Sequence, residues 1–132
     1  MGMAKGVRPS LPLWLAPTQV RMIPVNETHV KLAMGYAKKL SRGKVRADVD
    51  DRGETVQKKI RDAEKGWIPY IVVLGEREIG AEKVPVRVRT DGKLHQMSLK
   101  ELRSEIKKQV RGKPFRPLPL PMSVQGRPKF VG

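Results

Sequence analysis

The apolar positions of this chain recur with two periods, and the changes between them mark its elements. "YIVVL" (70–74) is apolar at every position, the pattern of a strand buried on both faces, as in a parallel sheet covered by helices. "VPVRVR" (84–89) alternates instead. Its arginines, Arg87 and Arg89, therefore point to one face, and Pro85 argues for an edge or near-edge place. The link from Gly75 to Lys83 is too short for a helical crossover, so these two strands are expected to pair antiparallel. Upstream, "TQVRMIPV" (18–25) and "KVRADV" (44–49) read as further strands.

Between the strands the period lengthens. Val30, Met34, Ala37 and Leu40 share one helical face, with Asn26 as a candidate N-cap, Glu27 in the first turn and Gly43 at the stop. Val56, Ile60 and Ala63 form the apolar face of a helix within 50–67. Lys58, Arg61 and Lys65 make a basic stripe beside it, and such stripes are ordinarily solvated surface. "SLKE" (98–101) is a capping box that opens a third helix, with Leu99, Leu102, Ile106 and Val110 on one face and Gly112 then Pro114 ending it. The order β-α-β-α-β-β-α predicts an α/β fold with a mostly parallel sheet and one antiparallel strand. Three segments follow: an arm over 1–17 built around Trp14, a domain over 18–112, and a Pro-rich basic tail over 113–132. The tail is expected to be extended, either docked on the domain or hanging free.

Composition narrows the choice. The 132 residues suffice for one core, and 39 % hydrophobic with 31 % charged residues is a globular balance. No run approaches the roughly 18 apolar residues of a membrane helix, and the N-terminus lacks a signal-peptide core, so a cytoplasmic chain is expected. With no cysteine there is no disulfide or thiol chemistry, and two histidines are too few for zinc. No cofactor or small-molecule substrate is expected, because phosphate loops and nucleophile motifs are absent. Asp48, Asp50 and Asp51 can be read as Mg²⁺ ligands, although acids at a strand end are more often a turn feature.

The net charge is +15. Residues 1–40 hold six Lys/Arg against one acid, residues 41–80 nine against eight, and residues 81–132 thirteen against four. The positive field belongs to the last third, and a polyanion, nucleic acid first, is the expected partner. Glu78, just past a strand end, repels phosphate. It makes sense if a base is read, since a carboxylate accepts from both guanine N1–H and N2–H₂, while arginine answers guanine O6/N7 or phosphate. The alternative is that Glu76 and Glu78 only neutralise Arg77, Arg87 and Arg89; pattern alone favours neither.

Three stretches then stand out together: "APTQVRMIPV", "KVRADVDDRGETVQKKIRDAEKGWIPYIVVLGERE" and "KVPVRVRTDGKLHQMSLKEL". They resemble, in order and over roughly 14–112, the C-terminal anticodon-binding domain of threonyl-tRNA synthetases of the archaeal type, a domain shared with prolyl-, glycyl- and histidyl-tRNA synthetases. The resemblance implies a three-layer fold, a mixed five-stranded sheet flanked by three helices, that binds the anticodon loop of threonine tRNA and reads guanine and uracil at its second and third positions. It implies base contacts at Arg61, Glu78 and Arg87, with Arg89 beside them. A family asparagine before the second helix has no counterpart here, and Arg52 or a backbone amide is expected in its place. No catalytic domain is present in the chain, so no ligase activity is expected of it alone. It is then a piece of a threonine–tRNA ligase or a free-standing paralogue, and "MGMAKG" as a translation start leans to the second. The other functions compatible with the pattern are a structural or regulatory RNA-binding protein, for example on the ribosome, and a docking subunit for a synthetase catalytic domain.

Overall fold

A computed structural model describes residues 12–125 and 127. The elements are β1 (Val20–Pro24), α1 (Val30–Arg42), β2 (Ala47–Val49), α2 (Val56–Lys65), β3 (Tyr70–Leu74), β4 (Val84–Val88), β5 (Lys93–Met97) and α3 (Leu99–Gln109). Short 3₁₀ turns lie at Leu13–Leu15, Glu27–His29 and Glu76–Glu78. The strands form one sheet in the order β2-β1-β3-β4-β5. β1 pairs in parallel with β2 and β3, and β4 is antiparallel to both β3 and β5. Four strands thus share one direction and β4 alone opposes them, which is the mixed sheet the sequence predicts.

Two boundaries differ from the sequence reading. Asn26 does cap, but it caps the 3₁₀ turn: its side chain accepts from the Thr28 N–H at 3.0 Å, and α1 begins only at Val30. β2 is shorter than 44–49, because the Arg46 N–H donates to the Gln19 side-chain carbonyl at 2.9 Å instead of to a ladder. The fifth strand, "KLHQM", is absent from the hydrophobic pattern. It is an edge strand with mostly exposed side chains, so burial leaves no period in it. Its signal is Asp91-Gly92. Gly92 takes the left-handed conformation (φ 67°). Its N–H donates to the Val88 carbonyl at 2.8 Å, and Asp91 Oδ1 accepts from the Lys93 N–H at 2.8 Å.

The sheet is covered unequally. On one face Val20, Met22, Val49, Val72, Leu74 and Val86 pack against Ala33, Ala37 and Leu40 of α1 and against Leu102 and Ile106 of α3. Leu102 and Ile106 are fully buried, each contributing about 1.5–3 kcal/mol. On the other face α2 lays Ile60 and Ala63 on Ile23, Ile71 and Val73. One ten-residue helix cannot roof five strands. Beyond it, Leu94 and Gln96 of β5 stay exposed.

The ends of the described chain are tied to β2. Arg46 donates from Nε to the Ala16 carbonyl (2.9 Å), from Nη2 to Trp14 (2.7 Å) and from Nη1 to Arg116 (2.8 Å). Further on, the tail runs parallel to β2 with Ser123 beside Val49. The Val49 N–H donates to the Met122 carbonyl and the Val124 N–H to the Val49 carbonyl, both at 2.9 Å. The tail therefore docks, and it covers the open edge of the sheet.

Candidate nucleic-acid interface

The uncovered part of the α2 face is a shelf made by β4 and β5. In the pleat Arg87 stands opposite Ile71 on one side and Leu94 on the other, and Pro85 stands opposite Gln96. Cross-strand partners share a face, so Arg87, Leu94, Pro85 and Gln96 form the shelf floor. α2 is its wall, since Ile71 packs under α2. Leu94 is 58 % exposed, a large apolar surface left to solvent beside Arg87.

Arg87 is half-buried, and its Nε is buried with no hydrogen-bond partner among the described residues. An unpaired buried donor costs about 1–3 kcal/mol, and the guanidinium has no ion-pair partner among the described residues to offset it. Arg89 points to the same face but is put to a different use. Its Nη1 donates to the Glu64 carbonyl at 2.8 Å, and its guanidinium stacks 5.1 Å from the Trp67 ring. It pins the end of β4 to the end of α2. Arg61, one residue past Ile60, is exposed on α2. Its side chain forms no ion pair among the described residues, so its charge is available to a ligand.

Glu78 lies in the 3₁₀ turn beyond β3 and is half-buried. Its Oε1 accepts from the Gly75 N–H at 2.7 Å. That contact fixes the carboxylate and leaves its second oxygen free to accept. The turn is anchored from the 3₁₀ turn that leads into α1: His29, 1 % exposed, reaches Glu76 Oε1 with its Nε2 at 3.1 Å. Ile71, opposite Arg87, is four residues before Gly75, so the Gly75 N–H that holds Glu78 lies roughly 13 Å along the strand from the level of Arg87.

Arg52 is engaged within the chain. It donates from Nε and Nη2 to the two oxygens of Asp50, both at 2.8 Å, and from Nη2 to Asp62 at 2.9 Å. Burial pushes the Asp50 carboxyl up, but the Arg52 hydrogen bonds outweigh it and hold Asp50 below its ordinary value. The Asp62 carboxyl is held down chiefly by the same guanidinium, and Arg52 is pushed up in turn, first by its bond to Asp50. The residue clamps the β2–α2 loop onto α2, with Nη1 left over. The other aspartates at the end of β2 are also spent. Asp48 accepts from Thr18, Arg21 and Arg127, and Asp51 from Ser123 and the Gln125 N–H. None is open to a metal ion in this arrangement. The shelf residues Leu94 and Gln96 escaped the sequence reading, which used Pro85 only as a sign of an edge strand; the Asp91-Gly92 turn is the signal that could have found them.

A mixed five-stranded sheet in the order β2-β1-β3-β4-β5, with α1 and α3 on one face and α2 on the other, is the fold of a class of nucleic-acid-binding domain. The chain belongs to the anticodon-binding domain family, whose model matches residues 19–109. Its relatives at high identity are threonine–tRNA ligases. It is 51 % identical to that of Pyrococcus horikoshii over 130 residues, and 50 % identical to that of Thermococcus sibiricus. In each case 98 % of this chain is covered but only 21 % of the relative, so the chain spans about a fifth of their length. Among solved structures it resembles the RNA-binding domain of threonyl-tRNA synthetase from Cryptosporidium parvum, with a TM-score of 0.70 and 28 % identity over 82 % of this chain and 26 % of that one. It also resembles prolyl-tRNA synthetase from the same organism, crystallised with L-proline and AMP, with a TM-score of 0.67 and 29 % identity over 75 % of this chain and 22 % of that one.

Proposed function

We propose that this chain binds tRNA through the anticodon loop, with threonine tRNA as its cognate partner, as a unit of a threonine–tRNA ligase or a descendant of one. It acts as a binding module in the cytoplasm, and ligase chemistry resides in the rest of such an enzyme. The observation that carries this reading is Arg87, held on the open shelf with a donor unpaired, while its neighbour Arg89 is fully employed in packing. Glu78 presents the acceptor and Arg87 and Arg61 the donors for bases of an unstacked loop. Leu94 supplies an apolar surface for a splayed base. Arg52 positions the loop before α2 and contributes at most Nη1 to the RNA.

The test uses an anticodon stem-loop of threonine tRNA and one altered at the second and third anticodon bases. Glu78→Gln keeps the shape but puts a donor where an acceptor is needed. It is expected to cost about 1–3 kcal/mol on the cognate loop only. Arg87→Ala is expected to weaken both loops and to narrow the difference between them. If Glu78→Gln separates the two loops as the parent chain does, the carboxylate is a charge-balancing surface group and base reading at this site is wrong.

A further inference from the structure

The densest positive charge of the domain is not on the shelf. It lies on the opposite face of the sheet, along the outer side of α3. Lys100, Arg103 and Lys107 recur at three- and four-residue spacing on α3 and form one exposed stripe about 10 Å long, which Arg111 extends from the turn that follows the helix. Two acids share the helix with it, and neither pairs with the stripe among the described residues. Glu101 caps the helix by accepting from the Ser98 N–H at 3.0 Å and pairs with Lys83 at 3.7 Å. Glu105 accepts from Gln109 at 3.2 Å. None of the four cations forms an ion pair among the described residues. Arg103 carries the stripe across to α1: its stem lies over Gly43, where an added Cβ would sit 2.5 Å from its Cδ. This seats the guanidinium beside Arg42 and Lys44 at the C-terminus of α1.

The stripe lines an open groove of about 590 Å³ and runs at its far end into a cleft of about 310 Å³. Trp14 and Phe115 line that cleft together with Lys44, Lys107 and Lys113. Arg46 stands at its back, only 5 % exposed, with every bond going to a backbone carbonyl and none to a carboxylate. Burial lowers its pKa, and Arg116 adds to the effect. Lys113 lies over the Trp14 ring at 5.4 Å, while Phe115 is exposed; cations beside aromatic rings form the arrangement that proteins use to track a nucleic-acid strand, with phosphates on the cations and a base on an open ring.

We infer that α3 and the Trp14–Phe115 cleft form a second RNA-binding track, which takes the phosphate backbone of an RNA segment outside the anticodon hairpin. The inference rests on the RNA-binding reading of the chain and concerns the face that reading leaves unused. Cations, and not apolar groups, project from α3, so a charged backbone suits it better than a hydrophobic partner.

The test compares a full threonine tRNA transcript with its isolated anticodon hairpin, each titrated against salt. The variant replaces Lys100, Arg103, Lys107 and Arg111 with glutamine. On the transcript the slope of log affinity against log salt is expected to fall in magnitude by about three. On the hairpin it is expected to change by less than about one, and discrimination between hairpins is expected to be retained. In a Trp67→Phe background, where Trp14 is the remaining tryptophan, the transcript is expected to quench emission and the hairpin to leave it unchanged. An unchanged slope on the transcript overturns the track and leaves the face to a protein partner. An equal fall on the hairpin overturns it too, because the cations then serve the anticodon site. Failure of the anticodon reading looks different: the parent chain would not discriminate between hairpins, whatever the α3 variant does.

Discussion

The carboxylate of Asp48 is fully buried and meets two guanidiniums, Arg21 at 3.0 and 2.9 Å and Arg127 at 2.8 Å. Removing one partner of a buried pair leaves the other charged and unsolvated. Asp48→Ala is therefore expected to lower unfolding free energy by about 3–5 kcal/mol in chemical denaturation. Arg127→Ala should cost less, because Arg21 keeps both carboxylate oxygens satisfied. A near-neutral Asp48→Ala would show that water replaces the carboxylate. The Asp50–Arg52–Asp62 cluster has a consequence in pH. Both carboxyls sit below their ordinary values in the folded chain. A carboxyl depressed by folding stabilises the native state above its unfolded pKa, near 3.9, and that contribution drains as pH falls through the folded value. Stability is thus expected to drop below about pH 4, and more gently in Asp62→Asn. Equal acid slopes for the parent and this variant would remove Asp62 from the account.

At the scale of elements, the tail is a strap on β2. Truncation after Arg116 removes the strand-like contact at Val49 and the bonds to Asp48 and Asp51. The truncated chain is expected to melt several degrees lower and to associate through the bared β2 edge; light scattering and a thermal melt read both effects. An unchanged melt would make the strap a mere appendage. The strap also shows where sequence reading stops. α3 was legible in full because cap, apolar stripe and stop all lie within one short stretch. β3 was legible because burial on both faces writes itself as an unbroken apolar run. β5 left no such trace, and the strap could not be settled as docked or free, because each is held by partners far away in sequence. The site divides the same way. The alternation in "VPVRVR" placed Arg87 and Arg89 on one face, but nothing local says that Arg89 is spent on Glu64 and Trp67, or Arg52 on Asp62, until α2 is laid on the sheet.

For the whole molecule, charge is distributed by face as well as by sequence. The shelf mixes a carboxylate with arginines, while the row of Lys100, Arg103 and Lys107 on α3 is cationic and the acids of that helix, Glu101 and Glu105, are bonded to Ser98 and Gln109. Binding of tRNA is accordingly expected to weaken steeply between about 50 and 200 mM salt, with each phosphate contact adding a little under one unit to the slope. A flat response would contradict an electrostatic interface of either kind. The grip of Arg46 has a consequence of another sort. One side chain holds the carbonyls of Trp14, Ala16 and Arg116, so the incoming and outgoing strands of the chain pass through the same doorway. A domain whose entering and departing segments meet at one side chain can have them joined there, at the expense of the strap beyond Arg116, and the chain reopened elsewhere. The exposed turn at Gly80 is the natural place to reopen it, and a circular permutant cut there is expected to fold with the shelf and the α3 stripe intact.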